Sequence, residues 1–370
     1  MSLSTKEIAR YRRQVSLGGF GSAAQEKLLD AHVVIIGAGG LGSPALLYLA
    51  GAGVGRITVI DDDAVSLSNL HRQVIHRTAD IGEAKVDSAR RAMQELNPDI
   101  TVEVEATRLT RDNAPELIAG ADAVLDGSDN LATRYLASWA CTRAKVPHVW
   151  ASILGFDAQL SVFWAGHGPI FEDLFPTPPP PGAVPSCAEA GVLGPVVGIV
   201  GSAMALEAIK LITGVGTLLV GTVGYYTALD GTWEYLPVAA NPATVERVAD
   251  GAPLADALHN AEMEKTPMDN NTVHEVDTIP DDALIIDVRN PEEVVEASIP
   301  GSQNVPLDTI EDGFTPPNVK EALDEDRPVV VHCAAGVRSA RAVELLQERG
   351  LKGPLYSLRG GINQWLESQI

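Results

Sequence analysis

The chain has 370 residues, 45% of them apolar, with 27 Lys plus Arg against 49 Asp plus Glu and a formal net charge of −22. At about 100 to 200 residues per domain this length holds two or three domains, and the apolar share is that of packed cores rather than a disordered polyanion. Such acidity argues against nucleic acid and anionic membranes as main partners, because both are held by clustered Lys and Arg. Residues 1 to about 30 read as a polar helix. Val33-Val34-Ile35-Ile36 is a β-branched strand ending in Gly37-Ala38-Gly39-Gly40-Leu41-Gly42, a helical stretch follows over 44–52, and 56–60 is a second strand ending in Asp61-Asp62-Asp63. Strand, glycine turn, helix and strand make the βαβ unit of a parallel sheet, whose ligands lie beyond the carboxyl ends of its strands. The alternation continues with a helix over 85–96, strands over 101–106 and 121–125, and a helix over 133–144. Leu174 to Gly182 holds five prolines and reads as a surface loop. Helical spacing returns over 192–212, and 218–236 gives closing strands. Residues 241–271 read as a linker with a short helix at 254–264, and a second domain over 272–370 places strands at 283–288 and 328–332. The longest uncharged stretch, 190–206, is Gly-rich and followed by Glu207 and Lys210, so it reads as buried core rather than a membrane span; the first residues show no apolar signal core.

Gly37, Gly39 and Gly42 satisfy G-x-G-x-x-G, and Asp61 lies nineteen residues beyond Gly42, where an acidic side chain meets a ribose hydroxyl. That pattern admits NAD as well as ATP, or a bare tight turn. The next segment favours a triphosphate. Ser66-Leu67-Ser68-Asn69-Leu70-His71-Arg72-Gln73 gathers polar and cationic groups, and Lys85 opens the following helix. Arg72 and Lys85 can neutralise phosphate oxygens and the charge on departing pyrophosphate, with Asn69 to orient them. Asp129, at another strand end, suits Mg²⁺, which takes one or two carboxylates plus phosphates. Singly these residues read as surface charge; together along one sheet edge they read as a site.

These residues, with Arg10-Tyr11-Arg12-Arg13-Gln14, Asp126-Gly127-Ser128-Asp129-Asn130 and Ser186-Cys187-Ala188-Glu189-Ala190-Gly191, resemble the MoeB and ThiF ubiquitin-activating-like adenylyltransferases over residues 1–240. The resemblance implies an α/β, Rossmann-like domain in which ATP adenylates the C-terminal glycine carboxylate of a ubiquitin-like sulfur carrier of the MoaD, ThiS or CysO kind. It implies that Gly40, Asp61, Ser68, Asn69, Leu70, His71, Arg72, Lys85, Asp129 and Asn130 contact ATP and Mg²⁺. Arg13 would reach the triphosphate of a neighbouring subunit, hence a homodimer. Bacterial members commonly carry two CxxC pairs for a structural zinc. Here 170–174 and 241–246 hold no thiolate, so no zinc is expected and packing or the proline loop takes its place. The prolines of 178–185 ahead of Cys187 resemble the fused MoeZ type.

Three cysteines, an odd number without a CxxC pair, argue against a disulfide framework and for a reducing cytoplasm. Cys141 reads as a core residue. Cys187 on its own reads the same way; the resemblance makes it the cysteine that bonds to the carrier or resolves an acyl disulfide. Cys333 follows the strand Pro328-Val329-Val330-Val331-His332, and Cys333-Ala334-Ala335-Gly336-Val337-Arg338-Ser339 turns into a helix. A sulfur there faces backbone N–H groups and the positive end of the helix dipole, a place for an anion. The loop is one residue shorter than a tyrosine-phosphatase loop, which suits a terminal sulfur carried as a persulfide. Residues 272–370 therefore resemble a rhodanese, supported by Asp287-Val288-Arg289, Ile299-Pro300-Gly301-Ser302 and Gly360-Gly361-Ile362 with Trp365; Ser298 stands where rhodaneses usually have His.

Together the two resemblances imply adenylation followed by sulfur transfer from a Cys333 persulfide, loaded by a persulfide or thiosulfate donor. The thiocarboxylate would feed molybdopterin, thiamine or cysteine synthesis. An NAD-dependent oxidoreductase and a non-catalytic carrier-docking scaffold are the alternatives; intact Arg13, Arg72, Lys85, Asp129 and Cys333 speak against the scaffold. Residues 271–370 hold 8 basic and 18 acidic side chains, a charge of −10, leaving −12 for the rest, so the acidity is shared by both domains.

Overall fold

The structure, a computed structural model, describes residues 3–179, 191–256 and 273–369. The chain divides into two compact units, 1–265 and 266–370. In the first, the run His32–Ile36 (β1) is buried on both faces, which is why it reads as continuous apolar text rather than alternating. With Arg56–Ile60 (β2), Thr101–Glu105 (β3), Ala123–Asp126 (β4), His148–Leu154 (β5), Asp157–Phe163 (β6), Thr222–Thr227 (β7) and Thr232–Pro237 (β8) it forms one sheet in the order β3-β2-β1-β4-β5-β6-β7-β8. Neighbours from β3 to β5 pair parallel, and β6, β7 and β8 continue antiparallel. Strand order reverses at β1, between β2 and β4, and a crevice opens beyond the carboxyl ends at such a reversal.

Helices cover both faces. Thr5–Val15 (α1) and Gly21–Asp30 (α2) stand where one N-terminal helix was expected. Gly19 and Gly21, both at positive φ, break it. Gly42–Ala52 (α3), Lys85–Leu96 (α4), Ala114–Ile118 (α5), Leu131–Ala144 (α6), Phe171–Leu174 (α7) and Gly194–Thr213 (α8) follow. Val33 and Ile35 point to one core with Leu46 and Leu49 of α3, Met93 of α4 and Val196, Val200 and Met204 of α8. Val34 and Ile36 point to the other with Tyr135 and Trp139 of α6, Phe163 and Phe171. Helix α8 is long and apolar enough to cross a membrane, but its buried side chains belong to the first core and Glu207 pairs with Lys210. Around α7, Phe171 meets Tyr135, Trp150 and Phe175 at ring distances of 5.1, 5.4 and 4.9 Å.

The first part of the stretch read as a linker from residue 241 is helical and packed. Pro242–Asp250 (α9) is a helix capped by the Asn241 side chain, and Val248 and Ala255 are buried in the second core. Trp139 Nε1 donates to the Gly251 carbonyl at 3.0 Å, and Arg143 Nη1 to that of Ala249 at 2.8 Å. Few of its side chains reach the core, so the apolar period was too short to show. The helix expected at 254–264 lies mostly outside the described residues.

In the second unit, His274–Val276 (β9), Leu284–Asp287 (β10), Gln303–Asn304 (β11), Val329–His332 (β12) and Leu355–Leu358 (β13) form a sheet in the order β11-β10-β12-β13-β9, with every pairing parallel. Parallel neighbours require crossovers. These include Pro291–Glu296 (α10), Leu307–Glu311 (α11), Pro317–Asp324 (α12) and Val337–Glu348 (α13), and Gly361–Glu367 (α14) follows β13. Val329 and Val331 face a core with Ile310, Val319, Val343 and Leu346, while Val330 faces Ile299, Leu358 and Ile362.

Candidate active site

The turn after β1 is held by the residue that sequence spacing assigned to a ribose. Gly42 lies against the Gly37 carbonyl so closely that a Cβ would overlap its oxygen. Asp61, at the end of β2, accepts the Ala38 N–H through Oδ2 at 2.8 Å and the Asp63 N–H through Oδ1 at 2.9 Å. Burial pushes its carboxyl above the ordinary range, against the pull of Lys85. Lys85, only 6% exposed at the start of α4, places its ammonium 2.6 Å from Asp63 Oδ2. Sequence reasoning did not find Asp63 as that partner. It also missed His76, which is buried and spans the Ala38 carbonyl at 3.0 Å and the Ser88 hydroxyl of α4 at 2.8 Å. Burial pushes His76 down, so a neutral ring ties the glycine turn to the helix that carries Lys85.

Residues Leu67–Asn69 form a single 3-10 turn, and Arg72 Nη1 donates back to the Ser68 carbonyl at 2.9 Å and sits 2.8 Å from His71 Nε2. Burial, then the charge of Arg72, pushes His71 down. Leu70 and Arg72 are half-buried, whereas Ser68 and His71 are exposed. The Gly127 N–H donates to the Ile36 carbonyl at 2.9 Å, which brings the loop after β4 beside the glycine turn. Asp126 is fully buried: Oδ1 accepts the Ser128 N–H at 3.0 Å and Oδ2 meets His148 Nε2 at 3.2 Å. Arg134 Nη2 donates to the Ser128 carbonyl at 3.1 Å, so the backbone of Ser128 is held at both its N–H and its carbonyl. Asp129 follows it, exposed and with no hydrogen bond or ion pair among the described residues. The Asn130 side chain caps α6 by accepting the Thr133 N–H at 2.9 Å.

Although burial alone would raise it, the bonds from His148 and Ser128 and the charge of Arg134 hold the Asp126 carboxyl below the usual range. Asp126→Ala should cost about 3 kcal/mol, because it orphans a buried ring nitrogen and a backbone donor. A carboxyl whose folded pKa is depressed contributes stability above its unfolded value of about 4 and loses it as pH falls. The gap in melting temperature between wild type and variant should therefore narrow on acidification; a constant gap would leave the carboxylate without a role.

Arg13 does not join these residues in its own chain. Tyr11 of α1 accepts a hydrogen bond from Asn97 at 2.9 Å and Gln14 Nε2 donates to the Ala52 carbonyl at 2.8 Å, which seats α1 at the far end of α3 from Gly42. That helix spans about 15 Å. Arg13 is exposed. Cys187 lies outside the described residues. Cys141 is buried in the second core, and burial pushes its thiol well up, as befits an inert side chain.

In the second unit, β12 delivers Cys333, 1% exposed, to the start of α13. Its sulfur accepts the Gly336 N–H at 3.1 Å and lies 3.6 Å from the Ser339 hydroxyl. Ser339, fully buried, also meets the Gly336 carbonyl and Ser357 at 2.9 Å each. The Gly360-Gly361-Ile362 motif has a physical reason: Ile362 N–H donates to the Cys333 carbonyl at 2.8 Å and Asn363 N–H to that of Ala334 at 3.1 Å. A Cβ on Gly361, at φ 60°, would overlap the Cys333 carbonyl. Asp287 and Arg289 are both buried, joined at 2.6 Å, and Arg289 also donates to the carbonyls of Glu293 and Ala297, which pins the chain after β10.

The profile of the ThiF family matches residues 11–247, and that of the rhodanese-like domain matches residues 272–368. The chain belongs to the ThiF family. This ThiF-family protein also carries a rhodanese-like domain at its C-terminal side. It is 41% identical over 373 residues, 98% of this chain and 94% of the other, to "Probable adenylyltransferase/sulfurtransferase MoeZ" of Mycobacterium tuberculosis strain H37Rv. It is 37% identical over 383 residues, 98% and 87%, to "Adenylyltransferase and sulfurtransferase MOCS3" of Aedes aegypti. Among solved structures, E. coli MccB with ATP shares the ThiF fold at 22% identity and a TM-score of 0.57 over 65% of this chain and 73% of that one. PaaA does so at 24% and 0.55 over 65% and 76%. This ThiF-family protein is thus an enzyme, an adenylyltransferase and a sulfurtransferase in one chain.

Proposed function

We propose that the first domain uses ATP and Mg²⁺ to adenylate the C-terminal glycine carboxylate of a ubiquitin-like sulfur-carrier protein, and that Cys333, loaded as a persulfide, exchanges the AMP for sulfur. What carries the reading is the presence on one chain of a glycine turn tied through Asp61, Asp63 and Lys85 and of a sulfur cradled by N–H and O–H donors. The carrier carboxylate attacks the α-phosphorus and pyrophosphate leaves. The terminal persulfide sulfur then attacks the acyl carbon, AMP departs, and an acyl disulfide joins carrier to Cys333. A second thiolate, proposed to be Cys187, attacks the Cys333 sulfur; the thiocarboxylate leaves and a reductant reopens the protein disulfide. The products suit molybdopterin, thiamine or cysteine synthesis in a reducing cytoplasm, with a persulfide or thiosulfate as donor.

Asp129 fits Mg²⁺ because its carboxylate is exposed and unengaged among the described residues, and phosphate oxygens can complete the shell. The Asp61 to Asp63 cluster fits less well, since Asp61 already holds Ala38 and Asp63 pairs with Lys85. A second copy of the chain would supply Arg13 to the triphosphate. The exposed apolar side chains Tyr48 of α3 and Ile199 and Leu206 of α8 support such a contact.

The test incubates the full chain with a candidate carrier, ATP, Mg²⁺ and thiosulfate and reads the carrier's intact mass for replacement of one oxygen by sulfur. No exchange with any ubiquitin-like carrier would sink the proposal. Asp129→Ala should lower carrier-dependent pyrophosphate exchange about a hundredfold; an unchanged rate would remove Asp129 from the metal site.

A further inference from the structure

Arg338 is the only charged residue of the loop that opens at Cys333. Its Nη1 and Nη2 donate to Glu293 Oε2 and Oε1 at 2.8 and 2.7 Å, a two-pronged bridge from α13 to α10. Both ends lie at one sheet edge: α10 follows β10, and β10 pairs with β12, the strand that delivers Cys333. The side chains are 20% and 29% exposed, so solvent and a small ligand reach the bridge. Glu293 Oε2 also accepts the Asn290 N–H at 3.0 Å, the capping box of α10, which fixes the carboxylate independently of its arginine. The bond from Arg338 holds the Glu293 carboxyl below the ordinary range. Arg289, on the same edge, is buried on Asp287, and Arg359, which follows β13 there, pairs with Glu275 and Asp277 at 2.9 and 2.8 Å. None of the three arginines therefore offers uncompensated positive charge to a donor approaching Cys333.

We infer that Glu293 sets the donor specificity of the sulfurtransferase site: by neutralising Arg338 it disfavours small dianionic sulfur donors such as thiosulfate relative to singly charged persulfides. The inference rests on Cys333 as the thiol that takes the sulfur. With thiosulfate, the Cys333 thiolate attacks the outer sulfur, the S–S bond breaks and its electron pair leaves with sulfite. With a persulfide, the same attack on the terminal sulfur expels the donor's thiolate. An unmasked guanidinium would favour the more highly charged donor, and a carboxylate in contact with it cancels that preference.

The test uses the full chain and follows the rate of Cys333 persulfidation by intact and peptide mass, at varied concentrations of thiosulfate or cysteine persulfide. Glu293→Gln keeps an acceptor for the Asn290 N–H while removing the charge. It should raise thiosulfate loading about tenfold relative to cysteine persulfide, through a lower half-saturating concentration, and added salt should erase the gain. In the double variant with Arg338→Gln the gain should vanish. An unchanged donor ratio, or a gain that survives the loss of Arg338, would overturn the inference. Sulfur loading that persists in Cys333→Ala would instead overturn the choice of thiol, and the inference with it.

Discussion

Replacing Cys333 with Ser should cut thiocarboxylate formation at least a thousandfold, while carrier-dependent pyrophosphate exchange continues and acyl-adenylate accumulates. The substitution changes little besides the atom that matters. A serine oxygen can still accept the Gly336 N–H and sit near Ser339, and the Ile362 and Asn363 N–H groups bind carbonyls rather than the side chain. A hydroxyl, however, is neither ionised near neutral pH nor able to carry a second sulfur. Intact mass of the carrier separates the outcomes: unchanged, adenylated or thiocarboxylated. Thiocarboxylate at the wild-type rate would mean that sulfur enters from elsewhere and that the Cys333 loop has another task.

Local features were legible in the sequence because their causes are local. A strand buried on both faces must be apolar throughout, a turn with overlapping backbone must be glycine, and a thiol at a helix start needs a short loop after a strand. Those three facts placed β1, the 37–42 turn and Cys333. Partnerships between distant positions were hidden. Nothing in the run Asp61-Asp62-Asp63 marks the third carboxylate as the partner of Lys85, and nothing joins Asp126 to His148 or Glu293 to Arg338, 45 positions apart. Such pairs exist only once the sheet is assembled. Helix α9 was missed for a related reason: Thr244 and Val248 are its only buried residues, too few to set a period.

The same pairing changes what the acidity means. The chain has few cations, and most of those near the two sites are paired: Lys85 with Asp63, Arg289 with Asp287, Arg338 with Glu293 and Arg359 with Glu275 and Asp277. Arg72 is half-buried, bonded through one terminal nitrogen to Ser68 and His71, and no ion pair involves it among the described residues. Charge that must meet a polyphosphate is thus concentrated in a small number of held groups, and each should matter greatly.

Lys85→Ala should accordingly lower carrier-dependent pyrophosphate exchange by about a hundred- to a thousandfold, the scale for losing a preorganised cation from a dehydrated site. The loss has two parts. The ammonium proposed to meet the phosphates disappears, and the Asp61 to Asp63 cluster loses the buried cation against it. Burial already pushes the Asp61 carboxyl up and Lys85 restrains that rise, so the variant should push it higher. A protonated Asp61 holds the Ala38 N–H less firmly than a carboxylate, because charge-assisted hydrogen bonds are the stronger ones. Raising the pH restores the ionised form, so residual exchange by Lys85→Ala should climb with pH more steeply than wild-type exchange. Lys85→Arg, which keeps the charge but not the compact ammonium, should recover part of the rate and flatten the profile. A profile parallel to wild type would separate Asp61 from the defect, and an unimpaired rate in Lys85→Ala would take this residue out of the triphosphate site.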